Sequence, residues 1–188
     1  MRKERNNNMG ISKEVVKELR AKTGAGIMDC KHALKEAEGD SEKAMDLLRQ
    51  KGIDMAFKKL TRTTTQGLIV SYVHLNDKIG ALVEVNCETD FVARNTQFKE
   101  FARNIALQIV ASAPLYVKRE NISPEVLLKD KIKPDKKEEY YQKVCLLDQP
   151  FIKDPKTTVK DYITSVVAKI GENIAIKRFT RFQLGEEV

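Results

Sequence analysis

Asn86-Cys87-Glu88-Thr89-Asp90-Phe91-Val92-Ala93-Arg94 joins an apolar strand, Ile79 to Val85, to a long amphipathic helix that follows from Asn95. A connection of this kind belongs on the surface, because a buried loop would strand its backbone polar groups. It nevertheless carries Phe91 and Val92 directly after the acidic Asp90. Phe91 has two readings. Either the ring is a staple that packs on the first turn of the next helix, or it stands exposed and enters a partner. Composition does not choose, since single exposed apolar residues are common.

Working outward, Gly67 opens a hairpin in which Leu68 to Leu75 is the strand before, Asn76-Asp77-Lys78 the turn and Ile79 to Val85 its partner. Imperfect alternation around Leu82 and Val83 predicts that both faces of this sheet are at least partly covered. After the loop, Asn95 caps a helix whose Phe98, Phe101, Ala102, Ile105, Ile109 and Val110 form one stripe, ending near Ser112 ahead of Pro114. Leu115 to Val117 has the composition of a short strand. Ser123-Pro124-Glu125 is a helix start, with proline at the first helical position, and Lys129–Tyr141 reads as helix. Pro150 marks a turn into a short strand. Thr158 caps a last helix with Val159, Ile163, Val166, Val167 and Ile170 inward and Gly171 at its end. Ile174 to Leu184 then forms a strand, with Ile174, Ile176, Phe182 and Leu184 on one face.

Before the hairpin, residues 11–52 read as three short helices. Ser12 caps the first, with Val15, Val16 and Leu19 on its stripe, and Thr23-Gly24-Ala25-Gly26 breaks it. Ile27, Cys30, Leu34 and Ala37 make one face of the second, which Gly39 closes. Asp40 or Ser41 caps the third, with Ala44, Leu47 and Leu48 buried and Gly52 at its end. So small a core is marginal by itself, which suits a module that presents a surface. The expected organisation is a tail at 1–10, a three-helix module at 11–52, a basic connector at 53–66 and an α+β core at 67–188, with helices packed on antiparallel sheet.

Hydrophobic residues make up 41% of the 188 residues and charged residues 32%, a globular composition with a polar surface. No apolar run approaches the ~20 residues that span a bilayer, and residues 1–8 lack the apolar segment of a secretory signal. Cys30, Cys87 and Cys145 are odd in number and widely spaced, which fits free thiols in a reducing cytoplasm better than a zinc site or a disulfide framework. Lysine and arginine exceed acidic residues by 34 to 27, a formal charge of +7. That excess supports one reading, a basic RNA- or ribosome-associated binding protein. Against it, charges of both signs are mixed, as in the run Lys129 to Glu139. No phosphate-cradling Gly-x-x-x-x-Gly-Lys-Ser/Thr run occurs, nor a Gly-x-Ser-x-Gly elbow or His-Glu-x-x-His. A thiol triad of Cys87, His74 and Asp90 is a remote third reading.

The order of residues adds what composition lacks. Val85-Asn86-Cys87-Glu88-Thr89-Asp90-Phe91-Val92-Ala93-Arg94 resembles the signature of the elongation factor Ts family, the bacterial exchange factors for elongation factor Tu. Leu19-Arg20-Ala21-Lys22-Thr23-Gly24-Ala25-Gly26-Ile27-Met28-Asp29-Cys30 and Ala168-Lys169-Ile170-Gly171-Glu172-Asn173-Ile174 resemble it too, in the family's order. The resemblance implies a non-enzymatic guanine nucleotide exchange factor in translation elongation, without a cofactor or metal of its own. Residues 11–52 would be a ubiquitin-associated-like module whose Arg20, Ile27 and Met28 contact the partner. Thr89, Asp90, Phe91 and Val92 would enter the nucleotide domain of elongation factor Tu, GDP-bound or nucleotide-free, and displace its Mg²⁺. Direct binding to nucleic acid or membrane is not implied. With no second Thr-Asp-Phe-Val and no second hairpin, the chain resembles the short, single-core form, in which a homodimer would supply the missing half.

Overall fold

A computed structural model describes residues 11–74, 77–129 and 132–186. The expected tail at 1–10, the last residue of the expected first hairpin strand, Leu75, and the first turn position, Asn76, lie outside the described residues. The chain divides into two compact units between Phe57 and Lys58.

The first unit is three helices: α1, Lys13–Thr23; α2, Ile27–Glu36; and α3, Ser41–Phe57. Ser12 caps α1 by accepting from Val15 N at 3.2 Å, and Gly24 ends it at φ 70°, a left-handed conformation that suits glycine. Asp40, rather than Ser41, caps α3, with Oδ1 accepting from Glu42 N and Lys43 N. Leu19, Cys30, Ala33, Leu34, Ala37, Ala44 and Leu48 form the core. Two expectations fail here. Ile27 leaves the buried stripe of α2 and is 55% exposed, Ala33 facing inward in that helix instead. Gly52 does not end α3, which runs on to Phe57. A mid-helix glycine costs only about 1 kcal/mol relative to alanine, and Gln50 Nε2 donates to Asp54 Oδ1 across it at 3.1 Å.

The second unit is built on a three-stranded antiparallel sheet in the order β1-β2-β5, where β1 is Gln66–Val73, β2 is Ile79–Cys87 and β5 is Ile174–Gln183. Along the chain after β2 come α4, Asp90–Arg94; α5, Thr96–Ser112; α6, Pro124–Lys129; and α7, Lys137–Val144. A small hairpin, β3 (Pro150–Phe151) with β4 (Asp154–Thr158), and α8, Val159–Ile170, precede β5. Ala81, Val83, Val85 and Cys87 point inward from β2, and α5 lies across that face. The stripe of α5 is buried as its periodicity predicts, from Phe98 through Val110, and Asn95 Oδ1 accepts from Gln97 N at 2.8 Å. Gln108, drawn into this interior, is satisfied: it donates to Ser112 Oγ and the Pro150 carbonyl and accepts from Ile152 N. Arg119 ties the 116–148 segment together, donating to Asp148 and Glu138 with its guanidinium 4.6 Å from the Tyr141 ring centre.

This unit corrects four expectations, beginning with the sheet. Its outer face is open, with Ile69, Val73 and Leu82 half or more exposed. Phe182 and Leu184 do not share a face with Ile174 and Ile176. The pairing of β2 with β5 shifts between Glu84 and Val85, so Lys177 is an extra residue in β5. One inserted residue inverts the alternation, leaving Ile174 and Ile176 buried while Phe182 is 71% exposed. Leu115 to Val117 makes a single bridge, Tyr116 to Cys145, instead of a strand. The helix expected over Lys129–Tyr141 is also not continuous: residues 130 and 131 lie outside the described residues, 132 and 133 are not helical, and a 3-10 turn at Pro134–Lys136 leads into α7.

Candidate functional site

The signature stretch is not an irregular loop. Residues Asp90–Arg94 close into the short helix α4, capped by Thr89, whose Oγ1 accepts from Val92 N at 3.3 Å. Five residues do not hold a helix by themselves, so the turn must be fastened from outside. Val92, 6% exposed, is its apolar anchor. Its neighbour Phe91 is 80% exposed, the most exposed of the large apolar side chains among the described residues. The staple reading of Phe91 therefore fails: a ring this exposed is not buried on the first turn of the next helix. Asp90 faces solvent as well and pairs with Arg94 at 3.0 Å, an exposed i,i+4 contact that contributes little to stability.

The fastening comes from the junction between α8 and β5. Glu172 accepts from Thr89 N at 3.0 Å and from Thr89 Oγ1 at 2.7 Å. In return Glu88 accepts from Asn173 N at 2.6 Å, and from Arg62 at 3.5 Å. Asn173 is 5% exposed, and its side-chain amide donates to the carbonyls of Leu60 and Arg62. Lys59 Nζ donates to the Gly171 carbonyl at 2.6 Å. Glu88, Glu172 and Asn173 belong to two of the quoted sequence stretches, yet sequence reasoning gave them no role. A usable signal was present: a helix-to-strand junction needs no carboxylate for packing, and Gly171-Glu172-Asn173 supplies one between two apolar runs.

Cys87 lies beneath the turn, fully buried, with its thiol donating to the Thr89 carbonyl at 3.1 Å. Burial, reinforced by the nearby Glu172 charge, pushes its pKa up to about 11, so it carries a proton at neutral pH. His74 follows the opposite end of β1, since Cys87 pairs with Gln66 and Val73 with Gly80. The eight residue steps from Gln66 to His74 span roughly 26 Å of extended chain. No thiol triad forms from Cys87, His74 and Asp90.

In the first unit, Ile27 and Met28 open α2 and are 55% and 61% exposed. They form an apolar pair on the rim of the three-helix module, and Arg20 is exposed on α1. The sequence-predicted site residues thus divide. Asp90, Phe91, Ile27, Met28 and Arg20 face outward, whereas Thr89 and Val92 hold the turn in place.

An exposed aromatic on a braced helical turn of an α+β unit, in a chain that also carries a small helical module, has the geometry of a docking element. The chain belongs to the elongation factor Ts family, whose sequence model, described as Elongation factor TS, matches residues 6–186. It is 51% identical to the elongation factor Ts of Carboxydothermus hydrogenoformans across 94% of this chain and 90% of that relative. Against the elongation factor Ts of Thermodesulfovibrio yellowstonii it is 50% identical, and against that of Thermotoga maritima 49%, in both cases across 95% of this chain and 98% of the relative.

Proposed function

We propose that this chain is the guanine nucleotide exchange factor for elongation factor Tu in cytoplasmic translation elongation. Family membership supports that role in general. The observation that carries the finer reading is the 80% exposure of Phe91 on a turn fixed from below. Asp90 and Phe91 enter the partner's nucleotide domain, and Thr89 and Val92 keep the wedge in shape. Arg20, Ile27 and Met28 supply the second contact.

Such a factor accelerates GDP release by binding the nucleotide-free partner more tightly than the GDP-bound one. Linkage then requires nucleotide to weaken the factor by the same ratio. A phenylalanine suits this work because its few rotamers make it cheap to order, while it brings large contact area. Wedged beside the phosphate site, it disturbs the partner's Mg²⁺ and loosens the nucleotide. The metal and the nucleotide are the partner's. GDP release from purified elongation factor Tu should accelerate as this chain is titrated in, and an unchanged release rate at saturating concentration would refute the assignment.

The homodimer belongs to the same proposal. Ile69, Val73, Leu82 and Phe182 share the open face of the sheet and are each at least half exposed. A second copy packing face to face would cover them with identical apolar surface. Leu82→Lys should therefore convert a dimer to a monomer in sedimentation velocity at micromolar concentration. A monomeric wild-type chain, or a variant that remains dimeric, would remove the dimer from the account.

A further inference from the structure

The exchange reading uses Phe91 and Asp90 but leaves unexplained why two carboxylates tie the segment just before them to the junction of α8 and β5. Glu88 and Glu172 lie in chain segments far apart in sequence, and each reaches the backbone of the other's segment. Glu172 takes the Thr89 amide at 3.0 Å; Glu88 takes the Asn173 amide at 2.6 Å. Each strut crosses the gap in the opposite sense, so neither segment can slide without breaking one of them.

The Glu172 contact does more than tie backbone. A threonine hydroxyl has one proton and two acceptor lone pairs. By donating that proton to Glu172 at 2.7 Å, Thr89 Oγ1 fixes its rotor and leaves its lone pairs for Val92 N, at 3.3 Å. The carboxylate thereby selects the hydroxyl orientation that caps α4. Of the other fastenings, Val92 holds the turn down but does not set its rotation, and the Asp90–Arg94 pair is open to water.

We infer that the reciprocal brace, Glu172 on Thr89 and Glu88 on Asn173, is a positioning device that pre-orders the Asp90–Phe91 wedge in the free protein. The inference rests on the exchange-factor reading. Ordering the turn beforehand lowers the entropy lost on docking, so the brace acts on how readily the factor engages its partner. Once the wedge is seated, the partner holds the turn in its place. Glu172 is a positioning residue acting through Thr89, and Glu88 is one acting through Asn173.

The test uses the full chain with Glu172→Ala and Glu172→Gln. Amide hydrogen exchange of the free protein is followed at Val92, Ala93 and Asn95, and GDP release is titrated in parallel. For Glu172→Ala, protection at those three amides should fall about tenfold while Val83 and Ile105 keep theirs. The concentration giving half-maximal GDP release should rise about tenfold, with the rate at saturation unchanged. Glu172→Gln retains an acceptor oxygen for Thr89 N and should fall between Ala and wild type in both readouts. Protection lost uniformly through the sheet and α5 would make Glu172 merely structural and overturn the inference. So would a loosened turn with an unshifted half-maximal concentration, or unaltered protection at Val92 and Ala93. If the wild-type chain itself fails to release GDP, the exchange reading falls, and the amide protection alone decides whether the brace orders the turn.

Discussion

Gly67→Ala should destabilise the sheet unit by roughly 2–5 kcal/mol and lower its Tm on the order of 10 °C. Gly67 sits at φ 151°, where L side chains are rarely found, opposite Asn86 in the pairing of β1 with β2. An added Cβ would overlap the Val85 carbonyl oxygen and stand 2.7 Å from Asn86 Cα. Both obstacles are backbone atoms of the neighbouring strand, so no side chain can swing away to make room. Relief requires β1 to separate from β2 at the point where β2 leads into the signature turn. Gly80→Ala is the control in the same sheet. Its new Cβ would meet the Tyr72 carbonyl oxygen and Val73 Cγ2 at 3.4 Å, an ordinary contact, and the loss should stay within about 1 kcal/mol. Urea denaturation of the two variants compares them directly. Equal losses would mean that the close approach of the strands at Gly67 is not what demands glycine.

Elements whose burial is one-sided and sustained could be read from the chain. The α5 stripe, Phe98 to Val110, recurs at helical spacing behind an asparagine cap, and α8 does the same behind Thr158 with Asp161 completing the capping box. What escaped were places where one residue changes the count. Lys177 bulges out of β5 and reverses which residues face inward, so an alternation that looked continuous through Leu184 was not. Gly52 carries a helix-stopping residue type but sits where α3 can continue at small cost. Ile27 fits the spacing of the α2 stripe, yet as the first residue of that helix it lies beyond the small core. The site divided in the same way. Thr89 to Val92 was conspicuous as sequence, but a five-residue helix is too short to show a period, so its geometry was hidden. The brace that supports it joins Thr89 to Glu172 across 83 residues, and no local pattern marks such a contact.

Phe91→Ala should abolish most of the exchange activity and leave the fold intact. An aromatic anchor at the centre of an interface is worth ~2–4 kcal/mol, which is roughly 30- to 1,000-fold in the efficiency of GDP release. The free protein has little to lose, because the ring is already 80% exposed and truncation opens no cavity. Alanine is also the stronger helix former, so the Tm should stay level or rise slightly. Phe98→Ala, in the next helix, gives the opposite pattern. That ring is fully buried against its neighbours, and its removal should cost ~3–5 kcal/mol of stability while each folded molecule exchanges normally. Thermal melts and GDP-release titrations on both variants separate anchor from core by a crossed result, which a general loss of protein quality cannot imitate. A Phe91→Ala protein that melts many degrees lower, or that releases GDP at the wild-type rate, would show that the ring is not the wedge. The work of exchange would then pass to Asp90 and to Arg20, Ile27 and Met28, the other outward-facing predicted residues.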